Sequence, residues 1–245
     1  MNQINNFVSS ERTRYSTKYN NRFAFWFNQI SQYSKFLDII YNRYIIISKK
    51  CLENNKQFIK SIPKNTSGPL STESRILMST DAQLGNKLLL EIESFYLFAK
   101  IVLDKIAYFV IDYFGTEQKF KMKSSHHGLT DHFGKYAKSK KIKSPKGFLE
   151  NAKYLRQHIS DYRDDKITHL NNPRLIKGFS FDKNGNVKVS DIYIYPQKGE
   201  VEKQGTGKDI KELKQLLDKY INQVIELVET NRDSTTYDRE SPSMD

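Results

Sequence analysis

Apolar residues recur at intervals of three and four along most of the chain, the spacing of one face of an α-helix. The first such stretch predicts a helix over Asn21–Ile62, and segment 63–69, with two Pro and one Gly, is expected to end it. A second stretch predicts a helix over Asp81–Tyr113 that ends near Gly115. Because residues 88–113 are apolar on most sides, we expect them to form the most buried helix of the fold.

Three further segments complete the helical pattern. A short helix is predicted over Leu129–Lys138, and a longer one over Ser144–Leu170 with Ser144-Pro145 as its N-cap and first position. Asp209–Val228 is amphipathic and predicts the last helix. Only at about 179–195 do apolar and polar residues alternate, as in β-strands, on both sides of a turn sequence. This pattern predicts a β-hairpin. The predicted fold class is all-α: an up-and-down helical bundle of four or more helices with one small β-hairpin insertion.

The same pattern predicts the domain organisation. Residues 1–20 are polar and irregular, as in a flexible arm, and 21–62 form an N-terminal helical segment that packs on the bundle. Residues 80–230 form the main helical domain, with the hairpin inserted before its last helix. The tail, 231–245, is rich in Ser and Asp and is expected to be disordered.

Composition narrows the cellular setting and the kind of partner. The 245 residues carry a formal net charge of +12, which favours an anionic partner such as nucleic acid, although a merely basic solvated surface stays open. The single Cys51 excludes an internal disulfide and fits a reducing compartment. The N-terminus lacks a signal-peptide core, and the most apolar stretch, 88–114, holds six charged residues. We therefore expect a cytoplasmic protein without a membrane partner.

The last two turns of the predicted helix Ser144–Leu170 are unusually polar. Its apolar stripe consists of Phe148, Ala152, Leu155, Ile159 and Tyr162. At about 100° per residue, Lys166 falls on the centre line of this stripe, with Arg163 and His169 roughly 60° to either side. Because a bundle does not bury such a cationic cluster without partners, we expect the cluster to open onto a groove, a partner or a ligand.

This arrangement resembles the HEPN superfamily, in which an Arg is followed four to six residues later by a His near the end of a bundle helix. Here five residues, Asp-Asp-Lys-Ile-Thr, separate Arg163 from His169. The stretch Leu90–Ala107 also resembles the long helix that precedes the motif in some HEPN-like proteins. Two positions depart from the family pattern: Asp164 stands where many members have Asn, and Asp165 adds a second negative charge.

The resemblance implies a metal-independent endoribonuclease, a toxin or defence effector acting on cellular RNA. RNA can be cleaved by its own 2′-OH, so the hypothesis assigns His169 as the general acid or base. Arg163 then clamps the phosphate, and Lys166 assists. The alternative is a non-catalytic HEPN-like interaction module that binds nucleic acid or a protein. A third possibility is an unrelated helix end whose cations complement the helix dipole.

The resemblance and the helix geometry also predict partners. HEPN proteins frequently form dimers with paired motifs at the interface. On an ideal helix Arg163 and His169 point roughly 120° apart, so a homodimer would let one copy's Arg meet the other copy's His. The expected partners are RNA, a second copy of the chain, and a regulatory protein such as an antitoxin.

A second basic region precedes the motif. The stretch Lys119–Lys146 holds nine Lys against one acidic residue, with aromatic residues interleaved. This composition is typical of a nucleic-acid backbone surface, although a solvated loop is the simpler alternative. The candidate RNA-binding residues are Lys138, Lys140, Lys141, Lys143 and Arg156. The histidines at 126, 127 and 132 match no common zinc spacing, so neither a metal site nor a cofactor is predicted.

Overall fold

A computed structural model describes residues 6, 7, 9, 11, 22–62, 69–116, 125–161, 163–164, 174–181, 187–195 and 210–236. Within these ranges the chain is predominantly helical, as predicted, with five α-helices. They are α1 (Arg22–Ser61), α2 (Thr72–Phe114), α3 (His126–Ser139), α4 (Phe148–Leu155) and α5 (Ile210–Thr230). Among these helices, none combines the length and apolar character that crossing a lipid bilayer requires.

Residue contacts divide the chain into two compact units. The first comprises Met1–Leu37, Tyr96–Asp161 and Leu213–Asp245. The second comprises Asp38–Phe95 and Tyr162–Glu212. The earlier division into an arm, an N-terminal segment, a domain over 80–230 and a tail stays a prediction. Residues 231–236 at the start of that tail include a 3₁₀ turn, Arg232–Ser234, and the backbone N–H of Thr236 donates to the Tyr113 carbonyl at 2.9 Å.

Aromatic side chains join α1 to α2 in the first unit. Phe27 meets Phe109 edge to face with ring centroids 4.6 Å apart, and Phe36 meets Phe98 in the same way at 5.7 Å. Since residues later in α1 meet residues earlier in α2, the two helices pack antiparallel within this unit. Buried side chains occur on most sides of α2 between residues 96 and 114, in agreement with its nearly all-round apolar pattern.

Polar contacts join the same two helices in the second unit. The Arg43 guanidinium donates to both carboxylate oxygens of Glu91, at 2.9 and 2.8 Å. Glu91 is buried, and this bidentate pairing compensates its charge. Nearer the connection, the Asn54 amide donates to the Leu77 carbonyl at 3.0 Å. These contacts again run antiparallel.

Helix α2 begins nine residues before its predicted start. Ser71 caps it: its hydroxyl accepts from the Ser74 backbone N–H at 3.1 Å, and the Ser74 hydroxyl donates to the Ser61 carbonyl at 3.1 Å. Ile76 and Met78 in the first turns are exposed. Hydroxyl capping, and not an apolar face, therefore stabilises the first turns of α2. For this reason the spacing of apolar residues did not predict that the helix begins at Thr72.

Helix α4 begins at Phe148, later than predicted. A turn at Gly147 precedes it, so Gly147 and not Ser144 is its N-cap. Gly147 has a φ of 74°, a left-handed conformation that glycine adopts without strain. Gln223 of α5 fixes this turn by donating to the Lys146 carbonyl and accepting from the Asn151 amide, both at 2.8 Å. The apolar stripe predicted for the helix Ser144–Leu170 is confirmed as far as Ile159. Its residues up to that point, Phe148, Ala152, Leu155 and Ile159, are buried. The side chain of Tyr162 lies outside the described residues.

Two strands, β1 (Arg174–Phe181) and β2 (Val187–Tyr195), pair antiparallel. Arg174 stands opposite Tyr195 and Phe181 opposite Val187, with a register irregularity between Lys177 and Phe179. The first strand therefore begins before position 179, where the sequence pattern placed the start of the hairpin. The turn between the strands lies outside the described residues.

Replacing Gly115 with Ala is expected to lower the free energy of unfolding by about 1–3 kcal/mol. Gly115 follows α2 with a φ of 79°, and an added Cβ would lie 2.5 Å from the Thr236 Cγ2. Gly85, inside α2, has nothing within 4 Å of an added Cβ, so Gly85→Ala should stabilise by up to about 1 kcal/mol. Urea denaturation measures both. Equal effects of the two substitutions would contradict this account.

Candidate nucleic-acid interface

The helix that leads to the Arg163 motif is not a continuous α-helix. After α4 the chain forms a π-helical segment, Arg156–Asp161, in which the backbone hydrogen bonds close wider turns. The expected angles of roughly 60° to either side of the stripe hold only for an uninterrupted α-helix. Angles drawn on an ideal α-helix therefore do not give the direction in which Arg163 projects. π-helical turns are frequent at functional sites.

Arg163 is the one residue of the predicted catalytic set that the structure describes. Its Nε donates to the Asp164 carboxylate at 2.8 Å, and its Nη2 forms an ion pair with the same carboxylate. The Arg163 side chain is partly buried. Lys166 and His169 lie outside the described residues, so their roles stay predictions. The Asp164 carboxylate therefore pairs with the guanidinium of the residue that precedes it.

Arg156, predicted to bind nucleic acid, is engaged with α3. Its Nη1 donates to the Asp131 carboxylate at 2.6 Å and to the Thr130 hydroxyl at 3.1 Å. The hydrogen bond from Arg156 is the main cause of a lowered pKa at Asp131. Asp131, the one acidic residue of the Lys-rich stretch, therefore neutralises Arg156. The role of Arg156 in RNA binding stays a prediction.

The other four predicted RNA-binding residues lie together in residues 138–143, which we call the basic segment. It contains Lys138, Lys140, Lys141 and Lys143, of which all but the half-buried Lys140 are exposed. The Asn231 side chain fixes its end, accepting from the Lys143 backbone N–H at 2.6 Å and donating to the Lys143 carbonyl at 2.8 Å. The structure thus brings these four lysines onto one anchored stretch of backbone.

Lys141 adopts an uncommon backbone conformation at the end of α3. The Ile142 N–H donates to the Ala137 carbonyl at 2.8 Å, and the Lys141 N–H donates to the Lys138 carbonyl at 3.3 Å. This is the Schellman arrangement, whose left-handed position is usually Gly. Lys141 occupies that position with a φ of 57°. A lysine side chain therefore stands where glycine would be the less strained residue.

A buried histidine lies at the start of α3. His126 is fully buried, and within the described ranges neither of its ring nitrogens has a hydrogen-bond partner. Burial, reinforced by the charge of Lys100 and of Arg156, lowers its pKa to about 3, so its ring is neutral near pH 7. The ring meets Tyr220 edge to face at 5.7 Å, and burial raises the pKa of that phenol. Sequence reasoning treated His126 only as a potential metal ligand and missed this environment.

Comparison of the chain with protein-family models, curated proteins and solved structures finds no match.

Proposed function

We propose that this protein is a HEPN-like ribonuclease that cleaves RNA without a metal ion. The observation that carries the proposal is the π-helical segment Arg156–Asp161, which lies two residues before the first residue of the motif Arg163–His169. A locally widened helix that leads into a cationic motif is typical of a functional site. The proposal includes the finer architecture: an up-and-down bundle of four or more helices with a hairpin insertion.

The proposed chemistry needs only groups that the motif supplies. The 2′-OH of RNA attacks the adjacent phosphorus and the bond from phosphorus to the 5′-oxygen breaks. His169 takes the proton from the 2′-OH and delivers a proton to the leaving 5′-oxygen. Arg163 exchanges its partner Asp164 for phosphate oxygens, and its planar guanidinium holds two of them at once. Lys166 adds positive charge to the developing dianion. Cleavage leaves a 2′,3′-cyclic phosphate on one fragment and a 5′-OH on the other, and hydrolysis of the cyclic phosphate by water gives a 3′-phosphate.

One observation favours the non-catalytic alternative. Because the Asp164 carboxylate already pairs with Arg163, an incoming phosphate must displace it. A module that binds nucleic acid or a protein without cleaving RNA needs no such exchange. In that case the motif contributes positive charge but no chemistry.

Incubation of RNA with the purified protein in excess EDTA distinguishes these functions. Cleavage that persists in EDTA and leaves cyclic or 3′-phosphate ends supports the ribonuclease. A strict requirement for added Mg²⁺ or Mn²⁺ would contradict the mechanism, and RNA binding without cleavage would favour the module. The biological setting that we propose is a cytoplasmic toxin or defence effector, active as a homodimer and restrained by a regulatory partner.

We assign the first contact with the RNA backbone to the basic segment. Residues 138–143 carry four lysines, and with a net charge of +12 the whole chain attracts polyanions. The strained backbone of Lys141 adds support, because conformations of this kind persist where the side chain serves a function.

Replacing Lys141 with Gly is expected to raise the stability of the protein and to lower its affinity for RNA. Glycine relieves the left-handed strain, so the free energy of unfolding should rise by up to about 1 kcal/mol. RNA affinity should fall, and the slope of log K against log salt should flatten by about 0.7, the loss of one single-strand phosphate contact. Lys141→Arg keeps the charge and should leave the slope unchanged. A stabilised Lys141→Gly protein with an unaltered salt slope would exclude Lys141 from the RNA surface.

A further inference from the structure

Helices α1 and α2 expose large apolar side chains along the same stretch of the first unit. Phe25 and Phe36 on α1 are 52% and 36% exposed, and Leu97 and Tyr108 on α2 are each 41% exposed. On each helix the two residues are eleven positions apart, which is three turns and about 16 Å along the axis. Single exposed apolar residues are common on protein surfaces, whereas a contiguous group of them marks an interaction site.

Ring contacts join these residues into one surface. Trp26 contacts Phe25 edge to face at 5.1 Å between centroids and stacks on Tyr108 at 5.4 Å. Three turns away, Phe36 contacts Phe98 edge to face at 5.7 Å. The two exposed rows therefore lie on either side of the seam between α1 and α2. We call the four exposed residues the apolar face: Phe25, Phe36, Leu97 and Tyr108.

A cavity lies at the Tyr108 end of the apolar face. Its volume is about 280 Å³, and its lining consists of Trp26, Tyr108, Ile111, Asp112, Gly115 and Thr116. Pockets for drug-sized ligands span roughly 300–1,000 Å³, so this cavity suits one anchoring side chain of a partner protein. Asp112 accepts a hydrogen bond from the Trp26 indole N–H at 3.0 Å and has a further interaction, so we assign it no role in binding.

The unbalanced charge beside the apolar face is positive. Of the acidic side chains that the structure describes on these parts of α1 and α2, Asp104 pairs with Lys100 at 2.7 Å and Asp112 is held by the indole N–H. Lys35 is exposed, and the Lys105 ammonium lies 5.6 Å from the centre of the same indole ring. Neither of these two lysines has a carboxylate partner among the described residues. The charges therefore favour a partner with acidic residues at its edges.

The geometry of the apolar face also selects the form of the partner. Two antiparallel helices leave a groove between them, and a third helix fits this groove with apolar residues at every third or fourth position. A helix satisfies most of its own backbone hydrogen bonds, whereas an extended segment would leave N–H and C=O groups unpaired against apolar side chains. Three turns of a partner helix match the length of the apolar face.

We infer that the apolar face binds an amphipathic α-helix of a partner protein, with acidic residues along the edges of its apolar stripe. The stripe packs between the two exposed rows, and one side chain at the Tyr108 end enters the cavity. The acidic residues of the partner meet Lys35 and Lys105. The inference goes beyond the proposed ribonuclease and does not depend on it, because neither the Arg163 motif nor the basic segment belongs to this face.

Trp26 is the single tryptophan of the chain, so its emission reports on the apolar face. The full-length protein is titrated with two labelled peptides of about 18 residues, a length at which helices form in water. Both peptides lack Trp and carry leucines along one side; one has glutamates at the edges of this stripe and the other has lysines there. The acidic peptide should change the Trp26 emission and bind about tenfold more tightly than the basic one, as label anisotropy measures.

Variants of the protein test the assigned roles. Leu97→Gln removes an apolar contact and should weaken binding of the acidic peptide about tenfold. Met78→Gln is the matched control and should leave binding unchanged, because Met78 is an exposed apolar residue of the same helix outside the apolar face. A double variant, Lys35→Glu with Lys105→Glu, should bind the basic peptide more tightly than the acidic one. Melting curves show whether each variant is folded.

Equal affinity for the two peptides, or an unaltered affinity of the Leu97→Gln protein, would overturn the inference. So would the absence of binding at peptide concentrations up to about 1 mM, at which even a weak interface is detected. A doubled mass in solution that Leu97→Gln abolishes would assign the apolar face to a second copy of the chain instead. Quenching of Trp26 by an RNA oligonucleotide that Leu97→Gln relieves would assign it to nucleic acid.

Discussion

Arg163→Ala and His169→Ala are each expected to reduce RNA cleavage by at least about a hundredfold. General acid–base catalysis contributes roughly 10²–10⁴-fold, and the loss of one group that stabilises developing charge costs a similar factor. Thermal stability should change little with Arg163→Ala, because the ion pair that it removes joins two adjacent, partly exposed residues. Initial rates with an RNA reporter in EDTA, together with melting curves, measure both effects.

Two matched substitutions sharpen this prediction. Arg163→Lys keeps the charge without the planar fork and should recover only part of the activity. Asp164→Asn removes the carboxylate that holds Arg163 and should raise the cleavage rate. Wild-type rates in the Arg163→Ala protein would remove this residue from the mechanism.

Mixing the two alanine variants tests the proposed dimer. If Arg163 of one copy acts with His169 of the other, mixed dimers contain one intact site and should regain partial activity. The angle of 120° between Arg163 and His169 was calculated for an ideal α-helix, and the π-helical segment before Arg163 departs from that geometry. The mixing experiment therefore tests directly whether the two side chains act within one chain or across two. A strictly monomeric mass at working concentration would contradict the composite site.

Acidification from pH 6.5 to 4.5 is expected to lower the free energy of unfolding by roughly 2 kcal/mol through His126 alone. Its folded pKa of about 3 lies below the ordinary value of 6.5, so the unfolded chain binds the proton first. Stability from this group is therefore present above pH 6.5 and falls as the pH drops towards 3. Ordinary carboxyl groups titrate near 4, so most of this window belongs to histidine.

His126→Phe should flatten the stability profile between pH 6.5 and 4.5. The substituted ring has no nitrogen to protonate and can keep the edge-to-face contact with Tyr220. His127→Gln is the matched control, since His127 is exposed and adjacent. Urea denaturation at each pH measures the profile. An equally steep decline in the His126→Phe protein would assign the acid sensitivity to other groups.

Hydrophobic spacing predicted the helices well where burial determines them. The predicted Asn21–Ile62 corresponds to α1, and Asp209–Val228 corresponds to α5, each within two residues. It failed at Thr72, where hydroxyl caps begin a helix without an apolar face, and at Gly147, where a left-handed turn delays one. Both features depend on single polar or glycine residues, which the spacing of apolar residues does not take into account.

The candidate sites were less predictable than the helices. A 3–4 spacing of buried residues is compatible with both an α-helix and a π-helical continuation, so the sequence around Ile159 did not reveal the segment Arg156–Asp161. The basic segment was predicted from charge alone, whereas its anchoring by Asn231 depends on a contact 88 residues away along the chain. The Arg163–Asp164 ion pair was implicit in the sequence as an adjacent pair of opposite charges.

The first unit is assembled from three separated stretches of chain, and this has a consequence for biogenesis. The Arg232 guanidinium pairs with Glu11 at 2.6 Å, across 221 positions, and the Thr235 hydroxyl reaches the Tyr113 carbonyl across 122. Contacts of such high sequence separation form slowly, because a long loop must close before they stabilise anything. On the ribosome this unit cannot be completed until Arg232 has emerged. A nascent chain therefore carries an incomplete core for most of its synthesis, and slowing elongation should lengthen its dependence on chaperones.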